Sequence, residues 1–227
     1  MDGTLLPMDA EVFTKSYFKC LAKKLSQRGY EPNKLIDGVW KGIAAMVKND
    51  GKQKNEEAFW TGFAGSFGER AYEDTAYFDE FYKTDFGDLK SLCGYNEKAA
   101  MAVRAIKSAG YTVVVATNPV FPIIAQERRL EWSGVDRSDI AYITSYENSS
   151  YCKPNTDYYK EILSVLDLRA KDCVMVGNDV GDDMVAQKVG MRVFLLTDCL
   201  INRAGADISV YPHGGFDELM EFLGLRY

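Results

Sequence analysis

Histidine is almost absent from this chain, cysteine never occurs as a CxxC pair, and basic residues are outnumbered by acidic ones. The five cysteines, Cys20, Cys93, Cys152, Cys173 and Cys199, are odd in number and widely spaced. That spacing excludes a disulfide framework and a cysteine zinc site, and it reads as buried thiols in a reducing compartment. The single histidine, His213 in the turn-like YPHGG, reads as a surface loop residue. With 27 Lys and Arg against 33 Asp and Glu, the formal net charge of -6 leaves no basic face of the size a nucleic-acid partner needs. No uncharged apolar run approaches the length of a membrane span and no signal-like leader is visible, so a soluble, cytoplasmic protein is expected.

What is present is bulk: 227 residues, 47% of them hydrophobic, are enough for one sizeable core or for a domain carrying a smaller insert. The apolar rhythm divides the chain in two. Over residues 11–86 it is helical throughout, with EVFTKSYFKCLAKKLSQRG offering Val12, Phe13, Phe18, Leu21 and Leu25 for one stripe before Gly29. PNKLIDGVWKGIAAMVKNDG places a proline in its first turn and Ile36, Val39, Ile43 and Met46 on one side. NEEAFWTGFAGSFG and DTAYFDEFYKTDF add two shorter aromatic-rich helices.

Beyond residue 95 the rhythm alternates between helices and short apolar strands. The strand-like runs are YTVVVATN, IAYITS, CVMVGND, MRVFLLT and, more weakly, ADISV, each separated by a helical stretch. Apolar strands of this length with helices between them predict a parallel sheet covered on both faces. The expected fold class is therefore α/β, a Rossmann-like parallel sheet with helices on both faces and an inserted all-helical region.

In such sheets ligands bind beyond the carboxyl ends of the strands, which makes the polar residues terminating these runs the ones to weigh. One run ends in Thr117 and Asn118, another leads through SYENSSYCKPN to Lys153, and a third ends in Asn178, Asp179, Asp182 and Asp183. Taken singly, these are an ordinary capping pair, a solvated lysine and an acidic surface loop. Taken together at successive strand ends they form a constellation, and carboxylates so crowded suit a magnesium ion.

These residues resemble the haloacid dehalogenase-like (HAD) superfamily, and the likeness covers essentially the whole chain. The family's first motif, Asp-x-Asp-Gly-Thr, is matched from its second position by Met1, Asp2, Gly3 and Thr4. Thr117 matches the second motif, Lys153 with Pro154 the third, and GNDVGDD from Gly177 to Asp183 the fourth. The resemblance implies a core domain of residues 1–10 and 87–227 and a helical cap domain of residues 11–86. It also implies a nucleophilic aspartate one position before Met1, at the end of a further apolar strand. Without that strand, its neighbours would face a gap lined by unpaired backbone groups.

The implied activity is magnesium-dependent hydrolysis of a small phosphorylated metabolite through a phosphoaspartate. The implied roles are Asp2 as general acid and base, Thr117 and Asn118 as phosphoryl hydrogen-bond donors, and Lys153 as the neutralising cation. For Mg2+, the implied ligands are the Asp2 carbonyl, Asp179 directly and Asp183 less directly, with Asp182 nearly as suitable as Asp183. Trp60, Phe63, Arg70 and Tyr72 are the residues of the helical block from which substrate contacts would come, although aromatic residues at that density are commonly packing residues. A dehalogenase would need no metal and fits the clustered acids poorly. A sugar phosphomutase and a noncatalytic binding or scaffolding domain of the same fold remain open alternatives.

Overall fold

The computed structural model describes residues 1–227, and it confirms the mixed α/β class with an inserted helical region. After a tight turn at Met1–Leu6, the chain enters α1 (Ala10–Ser26), α2 (Pro32–Val47), α3 (Asn55–Phe67), α4 (Arg70–Glu73) and α5 (Thr75–Lys83), followed by a 3-10 segment at Asp85–Leu92. The starts of α1 and α2 follow from capping. Asp9 Oδ1 accepts from the N–H groups of Glu11 and Val12 at 2.9 and 3.0 Å, and the Glu31 carboxylate accepts from Asn33 and Lys34. The inward stripe of α1 is Phe13, Tyr17, Phe18, Leu21 and Leu25, and Val12 faces solvent.

These helices pack into a cluster rich in aromatic rings, and the cluster is not theirs alone. Leu6, Ala125, Trp132, Tyr146 and Cys152 from outside the block belong to it, so the helical region is fastened by apolar burial to the rest of the molecule. The two connections run side by side: Met8 bridges Cys93 in antiparallel fashion, and Gly94 N–H donates to the Pro7 carbonyl at 2.7 Å.

The alternating region comprises α6 (Glu97–Ser108), β1 (Val114–Val115), α7 (Ile123–Trp132), β2 (Tyr142–Ile143), α8 (Thr156–Val165), β3 (Val174–Gly177), β4 (Arg192–Leu196), β5 (His213–Gly214) and α9 (Phe216–Leu223). All strand pairs are parallel, with β1 beside β2 and, separately, β3 beside β4 beside β5. Along β4 the side chains alternate between two helical layers: Val193 and Leu195 join the cluster with Tyr158 and Tyr159 of α8, whereas Phe194 and Leu196 join Ala99 of α6 and Phe216 of α9. Both faces are thus buried, which explains the apolar strands without polar alternation.

Three local expectations are corrected. ADISV is not a strand; Ile208–Val210 forms a 3-10 turn and the ladder resumes at His213–Gly214. MVAQKVG is a 3-10 segment over Met184–Val189, closed by Gly190 at positive φ, and not an α-helix. Of the cysteines, all of which are free thiols, only Cys152 is buried; the other four are half-buried. His213 is exposed, as expected.

The sheet is in two pieces. Between the edge of β1 that faces away from β2 and the edge of β3 that faces away from β4 lies a cavity of about 420 Å³, lined almost entirely by hydrophobic residues.

Candidate active site

At the carboxyl ends of β1, β2 and β3, the chain brings four segments together. The Met1–Leu6 turn is held by Met1's carbonyl, which accepts from Thr4, Leu5 and Leu6. Gly3 has φ +72°, and a Cβ there would lie 2.3 Å from Asn178 Nδ2, so only glycine permits this backbone to press against the loop after β3. Thr4 Oγ1 donates to Asn178 Oδ1 at 2.9 Å, and Asn178 Nδ2 donates to the Cys199 carbonyl at 2.7 Å. Thr4 and Asn178 are therefore bracing residues between the first and last segments of the site.

Thr117 is buried at the end of β1, its carbonyl accepting from Tyr158 Oη at 2.8 Å and from Thr144 Oγ1 at 2.6 Å. Asn118 Oδ1 accepts from the Lys153 N–H at 3.2 Å, which ties the loop after β1 to the loop carrying the lysine. Lys153 is 7% exposed, and its Nζ donates to Asp183 Oδ1 at 2.6 Å. The other Asp183 oxygen accepts from the Asp179 N–H at 3.0 Å. A Cβ on Gly177 would stand 2.1 Å from Asp183 Oδ2, so the absence of a side chain there lets this carboxylate fold over the strand end.

Electrostatically, Asp2, Asp179 and Asp183 each have a cation and Asp182 has no ion-pair partner. Burial would raise the Asp183 carboxyl, but the Lys153 ammonium and the Asp179 N–H outweigh it and hold it below the ordinary carboxylate range. Asp2 Oδ2 accepts from Arg129 of α7, which is 2% exposed and lies 4.4 Å over the Phe121 ring. Asp179 Oδ2 accepts from Arg203 Nη1 at 3.0 Å, and its Oδ1 accepts from the Gly181 and Asp182 N–H groups. Burial, with the Asp179 charge, pushes the Asp182 carboxyl up; the Asp182 carbonyl accepts from Tyr159 Oη. Of the two acids left open by sequence, it is Asp183 that meets Lys153.

No group of three or more acidic, histidine or cysteine side chains stands in position to hold a metal ion. Magnesium characteristically uses only one or two carboxylates and keeps several waters, so this does not exclude it. Asp2 Oδ1 is buried without a hydrogen-bond partner, an orphaned acceptor that a donor such as a cation-bound water satisfies. The residues present fit a site of that kind.

Beside Asp2 opens a second, polar cleft of about 830 Å³, bounded by Asn178, Cys199 and Arg203 of the core and by Glu11, Thr14 and Lys15 of α1. The four residues of the helical block named from sequence stand elsewhere. Trp60 and Phe63 are buried in the aromatic cluster, Arg70 pairs with Asp74 at 3.1 Å, and Tyr72 is an exposed side chain outside the cleft.

Arg129 and Arg203 escaped sequence reasoning. For Arg129 a signal existed, since it shares the inward helical face of Ala125 and Trp132, where a charge demands a partner. For Arg203, in a loop, there was none.

With this geometry in view, a family model described as "Hydrolase: haloacid dehalogenase-like hydrolase" matches residues 1–190. No curated protein matches the chain. Among solved structures, the chain is similar to a HAD phosphatase from Thermococcus onnurineus, with 18% identity, coverage of 99% of this chain and 95% of that one, and a TM-score of 0.55. It is similar to a dehalogenase solved as an intermediate complex, with 18% identity, 97% and 93% coverage and a TM-score of 0.54. It is also similar to YfnB from Bacillus subtilis, described as a HAD-hydrolase and bound to magnesium, with 15% identity, 98% and 95% coverage and a TM-score of 0.53.

Proposed function

The chain belongs to the haloacid dehalogenase-like hydrolase family, and on that premise we propose that it hydrolyses a small phosphomonoester with magnesium, through a phosphoaspartate. The observation that carries this reading is the convergence of Asp2 with its orphaned Oδ1 and of the buried Lys153–Asp183 pair at the strand ends.

In this reading the attacking carboxylate belongs to an aspartate directly preceding Met1. Its oxygen bonds to phosphorus while the bond from phosphorus to the ester oxygen breaks. Asp2 gives its proton to the departing alkoxide; the same carboxylate then takes a proton from water, whose oxygen attacks phosphorus and frees the aspartate. Arg129 acts as a positioning residue, since it engages Asp2 Oδ2 and leaves Oδ1 for the proton. Thr117 and Asn118 donate to phosphoryl oxygens. Lys153, held by Asp183, neutralises charge as it builds on the phosphoryl group.

Magnesium, when bound, supplies further neutralisation of the phosphoryl oxygens. The Asp2 carbonyl and the Asp179 carboxylate would hold it, with Asp183 supporting through its contact with the Asp179 N–H. Arg203, 74% exposed, compensates Asp179 meanwhile and can leave for solvent without breaking a packed contact. Residues 11–86 act as the cap of the core formed by 1–10 and 87–227. The polar cleft along α1 takes the leaving group of a small phosphorylated metabolite.

The test is turnover of para-nitrophenyl phosphate, with and without magnesium, by a chain carrying an apolar strand and an aspartate before Met1. Asp2→Asn in that chain is expected to keep the fold and the magnesium affinity and to lose turnover. Normal steady-state turnover in Asp2→Asn sinks the assignment. The internal pairing of Asp2, Asp179 and Asp183 with Arg129, Arg203 and Lys153 favours one rival, a noncatalytic domain of this fold. Absence of turnover in the aspartate-bearing chain across a panel of phosphomonoesters decides for that rival.

A further inference from the structure

The helical block reaches the strand-end site through one buried amide. Asn55, the first residue of α3, is fully buried, which an amide tolerates only when both of its ends are paired. α3 has no capping side chain of its own, so the N–H groups of its first turn need acceptors from elsewhere. The core supplies them: Asn55 N–H donates to the Ser149 carbonyl and Glu56 N–H to the Tyr146 carbonyl, both at 2.9 Å. Those carbonyls belong to the loop that follows β2 and leads to Lys153, so the start of α3 and that loop satisfy one another.

The Asn55 side chain goes further. Its Nδ2 faces three acceptors, the Tyr151 carbonyl at 3.4 Å, Cys152 Sγ at 3.5 Å and the Pro119 carbonyl at 3.4 Å. The first two residues directly precede Lys153, and the third directly follows Asn118. The amide therefore spans the same two loops that Asn118 Oδ1 joins by accepting from the Lys153 N–H. Asn49 fixes its orientation, because Asn49 Nδ2 donates to Asn55 Oδ1 at 2.9 Å and leaves Asn55 Nδ2 for the core. A purely packing role would suit an apolar side chain, since Cys152 beside it belongs to the aromatic cluster.

We propose that Asn55, a residue of the helical block, is a positioning residue of the core site: by tying the loops after β1 and β2 together, it sets where Lys153 stands. Asn55 does not line the polar cleft, so it acts through Lys153 and not on substrate. Its effect on turnover rests on the phosphatase reading, whereas its effect on the loops rests on the hydrogen bonds alone.

The first measurement is hydrogen exchange in the 227-residue chain without metal or substrate. Asn55→Ala is expected to speed exchange at the Lys153 amide about tenfold relative to the amides of β4. A merely structural loss would speed both alike, and that result, or unchanged exchange at Lys153, overturns the proposal. Asn49→Ala keeps Asn55 but frees its amide to turn, and it is expected to speed the Lys153 amide roughly twofold to threefold. Should Asn55→Ala fail to fold, unchanged exchange in Asn49→Ala overturns the proposal in its place. In the aspartate-bearing chain, Asn55→Ala is expected to lower kcat for para-nitrophenyl phosphate about tenfold or more and to keep KM within about twofold. A raised KM with unchanged kcat would make Asn55 a substrate contact and overturn the positioning role. Faster exchange at Lys153 with no turnover in any chain would sink the hydrolase reading and leave the tie between the loops standing.

Discussion

In the helical block, Phe63 meets Phe67 and Phe78 ring to ring at 4.8 and 5.2 Å, and its neighbours Phe59 and Trp60 continue the array. At the strand ends, Lys153 and Asp183 are about equally buried yet hold one another by charge. The two regions bury side chains to a similar depth by different physics. Ring burial is driven by a non-directional hydrophobic effect and its loss scales with volume, whereas a buried ion pair is neutral in sum and strongly unfavourable once one partner is gone. The ring cluster around Phe63 should therefore respond to size and be indifferent to pH, and the strand ends should do the reverse.

The largest expected effect comes from Lys153→Met, which leaves Asp183 buried and unpaired. Urea unfolding should show a loss of about 3–5 kcal/mol. Turnover should fall by roughly 100-fold or more, as for loss of a preorganised donor to a reacting oxyanion. A drop smaller than about fivefold in the catalytic assay would separate the pair from the reaction and confine its role to folding.

Phe63→Ala sharpens the contrast from the other side. Removing a fully buried ring should cost about 3–5 kcal/mol, while turnover per folded molecule stays unchanged at temperatures below the new Tm. Lost turnover with intact fold would mean that the aromatic cluster reaches into the chemistry.

Acid separates the regions next. The Asp183 carboxyl is held below its ordinary value of 3.8. Its contribution is fully present above that value and is lost as pH falls through the lower folded pKa. Stability followed by urea unfolding between pH 5 and pH 2 should fall less steeply in a Lys153→Met, Asp183→Asn double variant than in the wild type. Phe63→Ala should run parallel to the wild type; a changed slope there would break the comparison.

The smallest expected effect lies at the join. Asp9→Ala removes the cap of α1 and should lower stability by about 1 kcal/mol, with turnover shifted only if the α1 side of the cleft moves.

Legibility from sequence followed the range of the interactions. The stripes of α1 and α2 were readable, Val12 apart, because apolar spacing and stop and start signals such as Gly29 and Pro32 act within a few residues. The ADISV segment misled because a short apolar run carries too little periodicity to tell a strand from a 3-10 turn. Thr117, Asn118, Lys153 and Asp183 were chosen as ends of separate runs, and the structure joins Asn118 to Lys153 and Lys153 to Asp183. Arg129 carried a local mark, a charge on the inward face of α7, but nothing in the sequence named Asp2, 127 positions away in the chain, as its partner.

By itself the sequence determined the helical block, the alternation of helices and strands after it, most of the inward stripe of α1 and the identity of the polar residues at the strand ends. Those depend on apolar period, capping and backbone preference, which act over one or two turns. Only the tertiary structure decided which cation answers which carboxylate and that the aromatic block shares its cluster with Trp132 and Tyr146. The physical reason is that ion pairing, ring packing and strand registry act through space between residues the chain brings together only once it has folded.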